Sequence, residues 1–163
     1  MTKLIVADAG PLIAFGRINR IDLLISLFTK IMIPQAVAME CFADIARPGA
    51  QAIQDAVKKR KIKVVNQIDY QPYQALLDYL GPGEAASIAL ALQSDVNLLI
   101  DEKLGRSAAN KLGLKIIGTA GVLVLAKHKH LLKSISPLIN QLKGTGYYLS
   151  DSLTQSVLTV AGE

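Results

Sequence analysis

The chain has 163 residues, 51% of them hydrophobic and 19% charged, with 18 Lys and Arg against 13 Asp and Glu and one cysteine. That balance suits one compact domain, excludes a disordered or collagen-like chain, and leaves Cys41 no partner for an internal disulfide. No apolar run reaches the ~18 to 20 residues of a membrane span, and Asp8 interrupts the amino-terminal one, so no membrane helix or secretory leader is expected and the expected location is cytoplasmic.

The predicted elements begin with an apolar strand, Leu4–Ala7, that ends in Asp8 and turns through Ala9-Gly10-Pro11 into a helix. A carboxylate at the carboxyl end of a strand is how open α/β sheets present chemistry, although helix N-capping accounts for such an Asp equally well. Ile21, Leu24, Ile25 and Phe28 share a helical face, and Ile31–Ile33 reads as the second strand. Pro34 then opens a helix over Gln35–Ile45 whose buried stripe should include Val37, Cys41 and Ile45. Glu40 falls on or beside that stripe. A carboxylate there needs a cation or hydrogen bonds, unless it sits at the edge and reaches outward.

Pro48-Gly49 starts the next helix, with Ala52, Ile53, Ala56 and Val57 on one face and Lys58-Lys59-Arg60-Lys61 at its end, where cations complement the helix dipole. Ile62–Val65 is the third strand. Gly81-Pro82-Gly83 punctuates the chain before a helix over Glu84–Gln93. Glu84 lies in its first turn, where dipole arguments alone favour an acid, but Ile88 and Leu92 place it on the inward side. The fourth strand, Leu98–Ile100, ends in Asp101 as the first ends in Asp8, again with capping as the competing reading. A helix over Arg106–Leu112, the strand Lys115–Ile117 and helices over Val122–His130, Pro137–Leu142 and Leu153–Val160 complete the chain.

Short apolar strands alternating with helices predict a parallel sheet of about five strands covered on both faces. The expected architecture is a three-layer α/β/α fold, a single domain over residues 1–163 with a helical tail from about residue 133. Asp8, Glu40, Glu84 and Asp101 are four hard oxygen donors with no Cys or His among them, a set that suits Mg²⁺ or Mn²⁺. A cation so held activates water and stabilises charge building on phosphorus. Between Lys103 and Ser150 there is no acid but eight Lys or Arg, which permits a phosphate-rich partner. Together these point to a nucleic acid phosphodiester. Neither glycine pattern of nucleotide-binding folds occurs, and Gly10 stands where an aspartate nucleophile would need a second acid. His128 and His130 read as surface residues, and Cys41 lacks a basic partner.

Ile5-Val6-Ala7-Asp8-Ala9-Gly10-Pro11-Leu12-Ile13, Ile33-Pro34-Gln35-Ala36-Val37 leading to Glu40, Gly83-Glu84-Ala85-Ala86 and Leu99-Ile100-Asp101 resemble the PIN domain family. Arg106-Ser107-Ala108-Ala109 and Gly113 through Thr119 resemble a prokaryotic, VapC-like branch of it. The resemblance implies a Mg²⁺- or Mn²⁺-dependent endoribonuclease with a parallel strand order like that of flavodoxin-like folds. It carries the catalytic and metal-binding roles to Asp8, Glu40, Glu84 and Asp101. Asp8, Glu40 and Asp101 would hold one ion directly, and Glu84 that ion or a second through water, with cleavage leaving a 5′-phosphate and a 3′-hydroxyl. Lys103 and Arg106 would contact the RNA backbone, and Thr119 would add a hydroxyl near the site or simply serve the turn. The resemblance also implies a homodimer and, for a toxin of a toxin–antitoxin pair, an antitoxin partner. Two departures stand out: Glu84 occupies a place where the family often has Asp, and Ala9 and Gly10 stand where it commonly has Ser or Thr. The alternative is a catalytically inactive nucleic-acid-binding or protein-interaction module on the same fold.

Overall fold

A computed structural model describes residues 3–163. Strands β1 (Leu4–Ala7), β2 (Lys30–Pro34), β3 (Ile62–Val65), β4 (Asn97–Leu99) and β5 (Ile116–Ile117) form one parallel sheet in the order β3-β2-β1-β4-β5. The flavodoxin-like order expected from the resemblance is not what forms. That order would put β3 beside β1. Here the chain winds outward through β2 and β3, then crosses back to lay β4 against the free side of β1, so the direction of winding reverses between β1 and β4.

The helices among the described residues are α1 (Ala9–Arg17), α2 (Ile21–Leu27), α3 (Gln35–Phe42), α4 (Ala50–Lys58), α5 (Tyr70–Leu76), α6 (Pro82–Ser94), α7 (Lys103–Lys111), α8 (Thr119–His128), α9 (Ser136–Gly144) and α10 (Asp151–Val160). Period-two alternation along the strands divides them between two cores. Ile5, Ala7, Ile31, Ile33 and Leu99 pack with α1 to α4 and α8 to α10, whereas Val6, Leu98 and Ile100 pack with α5, α6 and α7. The result is the three-layer α/β/α arrangement.

Three local differences from the sequence reading have physical causes. Helix α3 stops at Phe42 because Asp44 turns the chain, its carboxylate accepting the Ala46 amide at 3.0 Å; Ile45 is left outside the stripe and 50% exposed. Helix α5 carries too little apolar periodicity to announce itself, since only Leu76 is buried in it. The last helices are not an appended tail. Ile135, Leu138, Ile139, Leu142, Leu149 and Val157 belong to the larger core. The Glu163 carboxylate closes that end, accepting from the Ile135 and Ser136 amides and the Ser134 hydroxyl and pairing with Lys127 at 2.9 Å.

Helix α1, which begins behind Asp8, meets the start of α4 backbone to backbone. A Cβ on Gly49 would lie 2.3 Å from the Gly16 backbone, and Gly49 has φ +87°, so both space and conformation demand glycine there. Among the described residues no helix is long and apolar enough to cross a membrane.

Candidate active site

A crevice opens where the winding of a parallel sheet reverses, outside the carboxyl ends of the two diverging strands. Here those strands are β1 and β4, which lead into Asp8 and Asp101. The Asp8 amide donates to the Leu99 carbonyl at 2.9 Å, extending the β1–β4 ladder by one residue. Asp8 occupies the N-cap position of α1, yet its carboxylate makes no capping hydrogen bond. It is 6% exposed, and Oδ1 lies 3.3 Å from the Ser87 hydroxyl. Burial pushes its pKa up to about 6, with the charges of Glu84 and Glu40 adding to the rise and the Ala9 amide and Ser87 offsetting part of it.

Glu40 reaches the same place from α3. Val37 and Cys41 are buried beneath it while Glu40 itself is exposed. Its Oε1 lies 2.2 Å, and Asp8 Oδ1 3.8 Å, from where a Cβ on Gly83 would stand. The missing side chain at the start of α6 therefore leaves the gap that both carboxylates border. Glu84, on the next residue of α6, is half-buried, and its carboxyl is raised by burial and then by the charges of Glu102 and Glu40. Ser87 lies one turn further along α6, fully buried, its one hydroxyl proton shared between the Gly83 carbonyl at 2.8 Å and Asp8 Oδ1 at 3.3 Å. One helix start thus supplies an acid, a hydroxyl and a gap.

Asp101 is the other wall. It does not cap α7, whose N-cap is Glu102. Its Oδ1 accepts from the Thr119 amide at 2.8 Å and its Oδ2 from the Thr119 hydroxyl at 2.6 Å. Two residues beyond Leu99, it shares that residue's side of the sheet, whereas Asp8 follows the alternation of Val6 towards α6. Tyr147 stands beside Asp101 and Thr119; burial and the Asp101 charge push its hydroxyl up to about 12. Asp101 Oδ1 and Arg106 Nη1 lie 3.0 and 3.1 Å from where a Gly118 Cβ would be, so carboxylate and guanidinium flank one glycine. Lys103 and Arg106 are exposed, and the ion pairs among the described residues, Arg20–Asp22 and Lys127–Glu163, involve neither.

The structure therefore brings Asp8, Glu40 and Glu84 together, with Glu102 alongside, whereas Asp101, at the end of the neighbouring strand, is held separately by Thr119. Among the described residues no three His, Cys, Asp or Glu side chains stand in a ready-made ligating array. The donor chemistry nonetheless fits a hard divalent cation between Asp8 and Glu40. Both border a cradle that a Cβ at residue 83 would fill, and a cation there would offset the burial that chiefly raises Asp8 as well as the smaller repulsion from Glu84 and Glu40.

Three residues here were missed in the sequence. Ser87 carried a signal, a lone hydroxyl in an apolar helix one turn beyond Gly83, and it provides the hydrogen bond to Asp8 that Ala9 and Gly10 cannot. Glu102, directly after Asp101, has no sequence signal of its own. Tyr147, far along the chain, carried none. Cys41 is fully buried, and burial with the charges of Glu40 and Asp8 pushes its thiol up to about 12, so it stays protonated. His128 and His130 are exposed. A groove of about 370 Å³ along β3, lined by Lys30, Arg60, Lys63 and apolar neighbours, holds none of the acids.

Residues 4–163 match a protein family described as a PIN domain. No curated protein matches the chain. Among solved structures, the chain is similar to a PilT N-terminus domain protein from the hyperthermophilic archaeon Sulfolobus solfataricus P2, at 18% identity and a TM-score of 0.53, over 76% of this chain and 92% of that one. At that identity the likeness is one of fold.

Proposed function

The chain belongs to the PIN domain family, whose members are generally nucleases that use divalent metal ions, and from that premise we propose that it is a Mg²⁺- or Mn²⁺-dependent ribonuclease. The observation that carries this reading is the crowding of Asp8, Glu40 and Glu84 at the point where the winding of the sheet reverses, with Asp8 buried and pushed up to about 6. Folding alone has no use for that arrangement, since Asn at position 8 would avoid the repulsion and the cost of burying a charge.

Asp8 and Glu40 would hold the cation, Glu84 would reach it through water, and Asp101 stands on the opposite wall. When bound, the cation supplies a lowered pKa for water and stabilises charge on the phosphoryl oxygens. Ser87 orients Asp8 through Oδ1. Thr119 satisfies one lone pair on each Asp101 oxygen and fixes the carboxylate, whose remaining lone pairs can accept a proton from the attacking water. Lys103 and Arg106, just past Asp101, offset the charge of the RNA backbone. In-line displacement then leaves a 5′-phosphate and a 3′-hydroxyl.

The test is cleavage of single-stranded RNA by the full chain with Mg²⁺ or Mn²⁺, with EDTA, and by Asp8→Asn. The expected result is metal-dependent cleavage that falls by about 100-fold or more in the variant. Cleavage undiminished in Asp8→Asn would sink the assignment. Salt-sensitive RNA binding by the wild type with no cleavage under either cation would support the non-catalytic module instead. A second copy and an antitoxin are partners proposed on the same reading, checked by the solution mass of the protein and by relief of growth arrest from a neighbouring gene product.

A further inference from the structure

We propose that the loop between α9 and α10 is a nucleotide-binding element, in which Tyr148 stacks on a base of single-stranded RNA while Arg106 meets the adjoining phosphate. The proposal rests on the ribonuclease reading and adds to it a recognition site outside the acids.

The loop is built to hold one ring outward. Helix α9 ends through Gly146, whose φ of +92° makes the turn, and the Tyr147 amide donates back to the Leu142 carbonyl at 3.1 Å. The Thr145 hydroxyl donates to the same carbonyl at 2.7 Å. Tyr147 is half-buried against the larger core beside Asp101 and Thr119, and Leu149 is 8% exposed. Ser150 then caps α10, its hydroxyl oxygen accepting the Leu153 amide at 3.2 Å. Between these anchors Tyr148 is 85% exposed, more than any other large hydrophobic side chain among the described residues.

A lone exposed aromatic is ordinary and by itself explains nothing. Tyr148 differs in two respects. Its backbone is fixed on both sides, so a ligand meeting the ring orders little that is not already ordered. Its neighbour Tyr147 touches the Asp101 wall of the crevice, where the Arg106 guanidinium lies unpaired with any carboxylate among the described residues. The chain from Lys103 to Ser150 carries eight Lys or Arg and no acid, so the acids near the loop are Asp101, Glu102 and Asp151 at its borders. A cation for the backbone with an aromatic face for the base is how single strands are held without sequence readout. A duplex keeps its bases stacked on one another and offers no such face, so the geometry favours a single strand.

The experiment is fluorescence anisotropy of a short labelled single-stranded RNA, and of the same RNA as a duplex, titrated in EDTA with the full chain and with Tyr148→Ala, Tyr148→Phe and Tyr148→Leu. Expected are a loss of single-strand affinity of about ten-fold in the Ala and Leu variants, retention in Phe, and unchanged duplex binding. Single-strand affinity unchanged in Tyr148→Ala, or equal losses on single strand and duplex, would overturn the proposal. If the wild type cleaves RNA with Mn²⁺ while Tyr148→Ala binds normally, only this inference fails. If the wild type never cleaves, it is the ribonuclease reading that fails.

Discussion

Asp8 is kept in the fold against its own electrostatics. Its carboxyl, ordinarily titrating at 3.8, is pushed up to about 6 by burial and then by Glu84 and Glu40. The folded protein thus binds this proton more tightly than the unfolded chain does, so stability falls as pH rises from about 4 to 6 and stays low above. Asp8→Asn removes the penalty. In EDTA at pH 7.5 the variant should melt at a higher temperature than the wild type, by on the order of 1–3 kcal/mol of stability, with the gain fading towards pH 4. Thermal melts at the two pH values check this, and a wild type more stable than the variant at pH 7.5 would count against it. On the proposed function, Asp8 trades stability for chemistry, as active-site residues commonly do. The acid itself could be read from the sequence, because a charge at the end of an apolar strand stands out. Its hydrogen-bond partner Ser87 lies 79 residues along the chain; a hydroxyl in an apolar helix is a signal, but its pairing with Asp8 is not one the sequence carries.

At the scale of elements, α6 does most to assemble the site. Pro82 sits at the start of the helix, Gly83 leaves the gap, Glu84 supplies an acid, and Ser87 follows one turn later. The pattern Gly81-Pro82-Gly83-Glu84 marks the helix start plainly, since proline suits the first turn and an acid complements the dipole. What it cannot mark is that Glu40 of α3 leans over residue 83. Gly83→Ala tests that contact. The change favours the helix by up to about 1 kcal/mol, but the new Cβ would meet Glu40 Oε1 at 2.2 Å. Because that oxygen ends a flexible side chain, the fold should stand while Glu40 is displaced. Thermal stability is expected to match or exceed that of the wild type, with RNA cleavage lowered about ten-fold. Full cleavage by a folded Gly83→Ala protein would remove Glu40 from the site.

Across the whole molecule, the carboxyl-terminal helices are joined to the core by apolar packing and by one carboxylate. The Ile135 amide and Ser134 hydroxyl, with Lys127 and the Ser136 amide, hold Glu163 down to about 2. Its linkage has the opposite sign to that of Asp8. A depressed carboxyl contributes stability above its ordinary value of 4.5 and loses it as pH falls towards 2. Glu163→Gln keeps the shape but gives up the ion pair and the charge-assisted hydrogen bonds, so melting at pH 7 should drop by a few degrees and the difference should close at low pH. An unchanged melting temperature at pH 7 would show the clasp to be idle. Since α9 and α10 carry the loop that sets Tyr147 against Asp101, this fastening also bears on the site.

By itself the sequence determined the alternation of strands and helices and the limits of Leu4–Ala7 and Ile62–Val65, and it offered the four acids as candidates, because period, capping and misplaced charge are local signals. Only the tertiary structure decided how they meet. Strand order is set by crossovers that the local pattern does not encode, and it placed β4 beside β1 so that Asp8 and Asp101 flank one crevice. The pleat then sent the two apart, Asp8 towards α6 with Glu40 and Glu84, and Asp101 towards Thr119 and Tyr147, because successive residues at a strand end face opposite layers.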